Sequence, residues 1–328
     1  FYIWDKKYII TMILKTILFN KNPRVNIGGN EATPHSHPYL VSLQMRFFWL
    51  RAHVCGGALL NEKWILSAGH CVIESWLIRW LPMDAILGTH DVNKFDAEAQ
   101  VIGINKRISH PRYRGPAAYA FIFSGTAFAL RKFSKRAIYS IAFGIGPYDI
   151  AMLELKSPVQ FTKEIQPINL PRNFKDDNIK SVTLAGWGVL RTTIFIPDLP
   201  DRLQEVNLTY LPFNECYEAV DNIKDPDEQN PLDREANICT GPITGGLAAC
   251  SGDSGGPLVL FVPQTRVNIR NELNMLYDYN DIFDRFVPVV VGITSWGASP
   301  CGERGAPSVY TKVFTYLDFI NQYINVKV

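Results

Sequence analysis

From about Val41 onward the chain is cut into short apolar and β-branched runs separated by turn residues. Tyr39–Gln44, Trp64–Ser67, Gln100–Ile104, Ser181–Ala185, Pro257–Leu260 and Val289–Ile293 all have this form. No helical-period stretches alternate with these runs, so the pattern predicts an all-β sandwich or barrel. The period changes at the end of the chain, where Tyr316, Leu317, Ile320, Tyr323 and Ile324 recur at helical spacing after Thr315. That predicts one C-terminal amphipathic helix docked on the surface. Near the start, the apolar run Tyr8–Leu14 is ended by Lys15 and is too short to span a bilayer. It fits the remnant of a signal peptide whose beginning lies upstream, although no small-x-small cleavage site marks it.

Bulk composition narrows the function classes. Lys and Arg number 33 against 31 Asp and Glu, a formal net charge of +2, which makes no electrostatic case for a nucleic-acid partner. The local cluster Arg131-Lys132 and Lys135-Arg136 reads as a solvated loop. The six cysteines allow many pairings, and spacing does not choose among them. None has CxxC spacing and the histidines are dispersed, which argues against zinc.

The strongest chemical signal is Cys250-Ser251-Gly252-Asp253-Ser254-Gly255-Gly256-Pro257, which sets a serine among glycines and leaves the Gly252 and Ser254 N–H groups free for an oxyanion. A neutral serine hydroxyl is a poor nucleophile, so it needs a nearby base and a third group fixing that base's tautomer. Leu66-Ser67-Ala68-Gly69-His70-Cys71 offers the base, and Asp149-Ile150-Ala151-Met152-Leu153 offers an acid followed by a buried strand.

In this order the three motifs resemble the chymotrypsin-like serine proteases, over Val25 to Arg114 and Ile145 to Val328. The resemblance implies two antiparallel six-stranded β-barrels with a C-terminal α-helix and a cleft between the barrels. It divides the chain into an N-terminal propeptide segment, 1–24, and a protease domain, 25–328. It implies His70, Asp149 and Ser254 as the catalytic triad, Gly252 and Ser254 as the oxyanion hole, and disulfides Cys55–Cys71, Cys216–Cys239 and Cys250–Cys301. With no cysteine left over, the set suits an oxidising, secretory compartment. His35, His37, His53, His90 and His110 lack the motif around His70 and read as structural.

Ser295-Trp296-Gly297 looks like the strand that pairs with an extended substrate. Ala248, six positions before the nucleophile, stands at the floor of the primary pocket, where a carboxylate would be needed to hold Lys or Arg substrates. Gly297 leaves one wall open and Ser308 makes the other narrower and more polar, so cleavage is expected after uncharged apolar residues. Glu303 reads as solvated. The activation segment departs from the family: cleavage after Arg24 releases Val25-Asn26-Ile27-Gly28-Gly29, one residue longer than usual, with Asn26 where an apolar residue is expected. The Val25 amine would pair with Asp253.

Two stretches also depart. Gly115–Ile145 replaces a short loop beside the cleft with about thirty residues of no clean period, and Phe261–Val287 interrupts a hairpin whose connection is normally a few residues. Each is either a genuine surface insertion or sequence introduced by faulty gene prediction. The loop from Gly88 to Gln100 has Thr89 and Ala99 where calcium-binding members have carboxylates, so no structural calcium, and no other metal or cofactor, is expected. Asn207-Leu208-Thr209 is a glycosylation sequon. The whole reads as a secreted, monomeric serine endopeptidase made as a zymogen. Its expected partners are protein or peptide substrates, an activating protease cutting after Arg24 and protein inhibitors, with no nucleic acid or membrane. The alternative is a catalytically silent homologue that binds a partner.

Overall fold

Thirteen strands account for most of the regular structure in the computed structural model, which describes residues 29–48, 50–72, 81–114, 146–172, 179–190, 199–224, 226, 228–263, 286–298 and 301–324. Strands β2 (Leu40–Phe47), β3 (Leu50–Leu59), β4 (Trp64–Ser67), β5 (Met83–Leu87), β6 (Gln100–Ser109) and β7 (Ala151–Leu155) close into one antiparallel barrel in the order β2-β3-β4-β7-β6-β5. The second barrel comprises β8 (Ser181–Gly186), β9 (Gln204–Leu211), β10 (Asn237–Thr240), β11 (Pro257–Pro263), β12 (Phe286–Gly297) and β13 (Ser308–Lys312). Its order is β9-β10-β13-β12-β11-β8, closed by the β8–β9 ladder, with the two-residue β1 (Asn30–Glu31) added outside β9. Closure leaves no exposed barrel edge.

Strand periodicity explains the cores. Val182 and Leu184, and Leu208 and Tyr210, are two apart, so each pair points to one face and meets Ile238, Leu258, Val291 and Tyr310 inside the second barrel. Leu43, Leu59, Ile65, Leu66, Ile86, Met152 and Leu153 are fully buried in the first. Each such side chain contributes roughly 1.5–3 kcal/mol relative to exposure.

The C-terminal segment forms a 3-10 turn, Val313–Tyr316, and then a helix, here α2 (Leu317–Ile324). Val313, Tyr316, Phe319 and Ile320 are buried, and the Tyr323 ring lies 5.2 Å from that of Trp64 at the start of β4, so the end of the chain docks on the first barrel. One element lies outside the expected pattern, in which the C-terminus holds the single helix: α1 (Phe213–Ile223) is also helical. It buries only Cys216, Ala219 and Val220, a stripe too narrow to register as a period, and the Cys216–Cys239 disulfide ties it to β10.

The β11–β12 ladder continues through Phe261↔Pro288, Val262↔Val287 and Pro263↔Phe286. The outer residues of the second unusual stretch are therefore hairpin residues. Its remainder, the stretch Gly115–Ile145, and Arg24 and Val25 lie outside the described residues. Among the described residues no helix is long and apolar enough to cross a membrane.

Candidate active site

The β4–β7 ladder ends with Ser67 opposite Ala151. His70 follows Ser67 by three residues and Asp149 precedes Ala151 by two, so antiparallel pairing brings both to the same barrel end. The turn carrying His70 is held by Cys71 N–H to Ala68 O and Val72 N–H to Gly69 O, and by the Cys55–Cys71 disulfide. Gly69 is required there, because a Cβ would fall 2.7 Å from Tyr113 Cδ1 and 3.1 Å from Asp149 Oδ1.

Asp149 is fully buried and held at several points. Its Oδ1 accepts the His70 backbone N–H at 2.8 Å, its Oδ2 lies 2.8 Å from His70 Nδ1, and Ser295 Oγ donates to the same Oδ2. Thr311 Oγ1 donates to its backbone carbonyl at 2.7 Å. By sequence Ser295 belongs to a strand that resembles a substrate-pairing one, and no neighbouring motif marks its link to Asp149. The cause is local: pairing steps from Thr294↔Tyr310 to Trp296↔Val309, so Ser295 is the extra residue of a bulge. Bulges re-aim side chains in this way. Tyr113 lies beside the same carboxylate, and burial together with the Asp149 charge pushes its phenol well above the ordinary range, keeping it neutral.

In the neutral ring the Asp149 carboxylate at Nδ1 selects the tautomer with its proton there, which leaves His70 Nε2 as the acceptor. Nε2 is buried with no hydrogen-bond partner among the described residues, so the structure does not make a His70–Ser254 hydrogen bond.

Ser254 sits on a loop packed against the His70 turn. Gly56 N–H donates to Ser254 O at 2.7 Å, and a Cβ at Gly255, where φ is +76°, would meet Ser67 Oγ at 2.2 Å and Cys71 Sγ at 3.0 Å. His53 braces the loop from the other side. Its Nε2 donates to Gly252 O at 2.9 Å and its Nδ1 accepts from Ser42 Oγ at 2.8 Å. Burial pulls its pKa down to about 4, so the ring is neutral near pH 7. No local motif announces this contact.

The Asp253 side chain turns away from Ser254. Its Oδ1 accepts Gly188 N–H and its Oδ2 accepts Cys250 N–H, both at 2.9 Å, and burial pushes its pKa up to about 6 despite those donors. Beside it is a cavity of about 30 Å³ lined by residues that include Gly29, Gly186, Gly188, Glu205 and Ala248. Such a volume holds about one water-sized group.

The loop also carries the Cys250–Cys301 disulfide. Ala248 is half-buried, and the neighbouring Ala249 N–H donates to buried Ser308 Oγ at 3.1 Å. A Cβ at Gly297 would approach nothing closer than 3.8 Å, and Trp296 packs on the cluster beneath α1.

Cys55, Cys71 and His70 place potential donor atoms within 4.8 Å of one another, but both sulfurs are bonded in the disulfide and are not thiolate ligands. In the loop beginning at Gly88, Asp91 Oδ1 accepts Asn93 and Lys94 N–H groups and Asp96 Oδ2 accepts His90 N–H. These carboxylates are turned onto their own backbone.

The family model described as Trypsin matches residues 26–320. The chain is 30% identical to a glandular kallikrein of Sus scrofa, over 91% of this chain and 95% of that relative. It is 29% identical to the thrombin-like enzyme gyroxin B1.4 of Crotalus durissus terrificus, over 95% and 92%. It is 30% identical to granzyme-like protein 1 of Rattus norvegicus, over 90% of each chain.

Proposed function

The chain belongs to the trypsin family of serine proteases, and from that premise we propose that it is a secreted serine endopeptidase made as a zymogen. The observation that carries this is the two-point attachment of His70 to buried Asp149 beside the braced Ser254 loop.

In the proposed reaction His70 Nε2 takes the Ser254 proton as Oγ attacks the scissile carbonyl, and Asp149 stabilises the resulting imidazolium. Among the described residues the Gly252 and Ser254 N–H groups are not engaged elsewhere, which suits them to receive the oxyanion. Collapse of the tetrahedral intermediate breaks the peptide C–N bond, His70 gives its proton to the leaving amine, and water then releases the acyl group by the same steps. The His70–Ser254 hydrogen bond forms as substrate excludes water, since such contacts tighten in the substrate complex.

The zymogen reading is supported by Asp253, a carboxylate destabilised by burial that faces a small cavity with Gly29 in its lining. Val25 is four residues before Gly29, a reach of up to about 14 Å. Cleavage after Arg24 then supplies an amine to Asp253, and N-terminal sequencing of the active form reads the cut directly. For the primary pocket, Ala248 and the Ser308 hydroxyl favour uncharged apolar residues, Leu, Met, Phe or Tyr ahead of Ala or Val. Three disulfides with no free cysteine support a secretory route, with protein substrates and protein inhibitors as partners of a monomer.

A second reading, a silent homologue that binds a partner, is favoured by the absent His70–Ser254 bond and by Asn26. Labelling with a fluorophosphonate after limited trypsin treatment separates the two. The peptidase incorporates one label per chain, lost in Ser254→Ala. A folded, correctly cut chain that takes no label is the silent homologue.

A further inference from the structure

Tyr148, immediately before Asp149, has φ +70°. A large L-residue in the left-handed region is strained and persists only where its surroundings over-determine it. Here they do. Tyr316 Oη accepts the Tyr148 backbone N–H at 2.9 Å. The His110 ring stacks on the Tyr148 ring with centroids 4.8 Å apart and planes 19° apart, and the Arg112 guanidinium lies 4.3 Å from the same centroid. Tyr316 meets both His110 and Tyr148 edge-on, and Phe319 lies against His110. Three separate parts of the chain thus converge: the turn after β6, the approach to β7, and the C-terminal segment.

The consequence falls on the next residue. Ile150 N–H donates to Tyr148 O at 2.8 Å, folding the chain tightly around Asp149, and His110 N–H donates to Ile150 O at 2.9 Å. His110 and Arg112 precede Gly115–Ile145 in the chain and Tyr148 follows it, so the ring stack ties together the two flanks of that stretch.

We propose that Tyr148, Tyr316 and His110 form a clasp that positions Asp149 toward His70. The inference rests on the serine-peptidase reading, with Asp149 as the group that orients the base. The three are positioning residues, acting only through Asp149, and the Tyr316 hydroxyl is the clasp's hydrogen-bonding point.

The test uses the activated full chain and a small ester substrate. Tyr316→Phe removes the hydroxyl while keeping the ring. It is expected to lower kcat tenfold or more at constant KM, shift the acidic limb of the kcat/KM profile, and weaken the low-field proton resonance of His70 Nδ1–H. Glycine adopts φ near +70° without help, so the double variant Tyr148→Gly, Tyr316→Phe is expected to recover kcat to within about threefold of wild type. Wild-type kcat, pH limb and resonance in Tyr316→Phe would overturn the clasp, as would a folded double variant that fails to recover. If Tyr316→Phe does not fold, Tyr148→Ala decides, since it removes the stacked ring while leaving a residue that needs support at φ +70°: a tenfold loss of kcat with a weakened His70 resonance in the folded protein supports the clasp, and wild-type values overturn it. A wild-type chain inert toward the ester defeats the peptidase reading instead, and the His70 resonance, compared between wild type and Tyr316→Phe, then still decides the clasp.

Discussion

His53 and Gly252 are 199 residues apart in the chain, yet the histidine Nε2–H donates to the glycine carbonyl at 2.9 Å and links the first barrel to the Ser254 loop. The ring must be neutral to accept from Ser42 at its other nitrogen.

Opposite pH dependences follow for His53 and Asp253. The His53 pKa is lowered by burial to about 4, so its contribution is complete above the unfolded value near 6.5 and is lost as pH falls toward 4. The Asp253 pKa is raised by burial to about 6, so the folded state gains stability as pH falls from 6 through the unfolded value of 3.8. Each amounts to up to about 3 kcal/mol at about 1.4 kcal/mol per pKa unit, an upper bound because both residues retain some solvent contact. In the uncut chain the two slopes nearly cancel between pH 4 and 6. Asp253→Asn is expected to lose stability on acidification across this range, measured by urea unfolding. A slope identical to that of the uncut wild type would sink the assignment of these two groups.

Ser295→Ala removes a donor from the buried Asp149 carboxylate without altering strand pairing. A hydrogen bond to a charged group contributes about 1.5–3 kcal/mol, so kcat on a small ester is expected to fall by about tenfold or more with KM little changed. Unchanged kcat would show that the bulge aims Ser295 without catalytic consequence.

Gly69→Ala introduces a methyl group 2.7 Å from Tyr113 Cδ1 and 3.1 Å from Asp149 Oδ1. Overpacking of this kind costs about 1–3 kcal/mol. The variant is expected to lose stability by that amount in urea, with reduced kcat as Asp149 moves. Wild-type stability would mean that Tyr113 gives way at no cost.

A peptide library varied at the residue before the cut is expected to show cleavage after Leu, Met, Phe or Tyr. Ala248→Asp is expected to raise cleavage after Lys or Arg relative to these. Dominant cleavage after Arg or Lys by the wild type would place another carboxylate in the pocket.

Strand-length apolar runs bounded by turn residues made the all-β class legible, and the helical spacing from Tyr316 to Ile324 made α2 legible, because both signals are local periodicities. The motifs around His70, Asp149 and Ser254 stood out by their resemblance to a known family, and Gly69 and Gly255 mark close backbone approach, a requirement written into residue type. Only the tertiary structure disclosed α1, whose three buried residues form no clear period. It alone disclosed the Ser295 bulge, because register is a property of two strands, and the His53–Gly252 bond, which crosses between barrels. The turn at Tyr148 is the sharpest case: tyrosine disfavours the left-handed region, and contacts from the turn after β6 and from the C-terminal segment, brought together by barrel closure, hold it there against that preference.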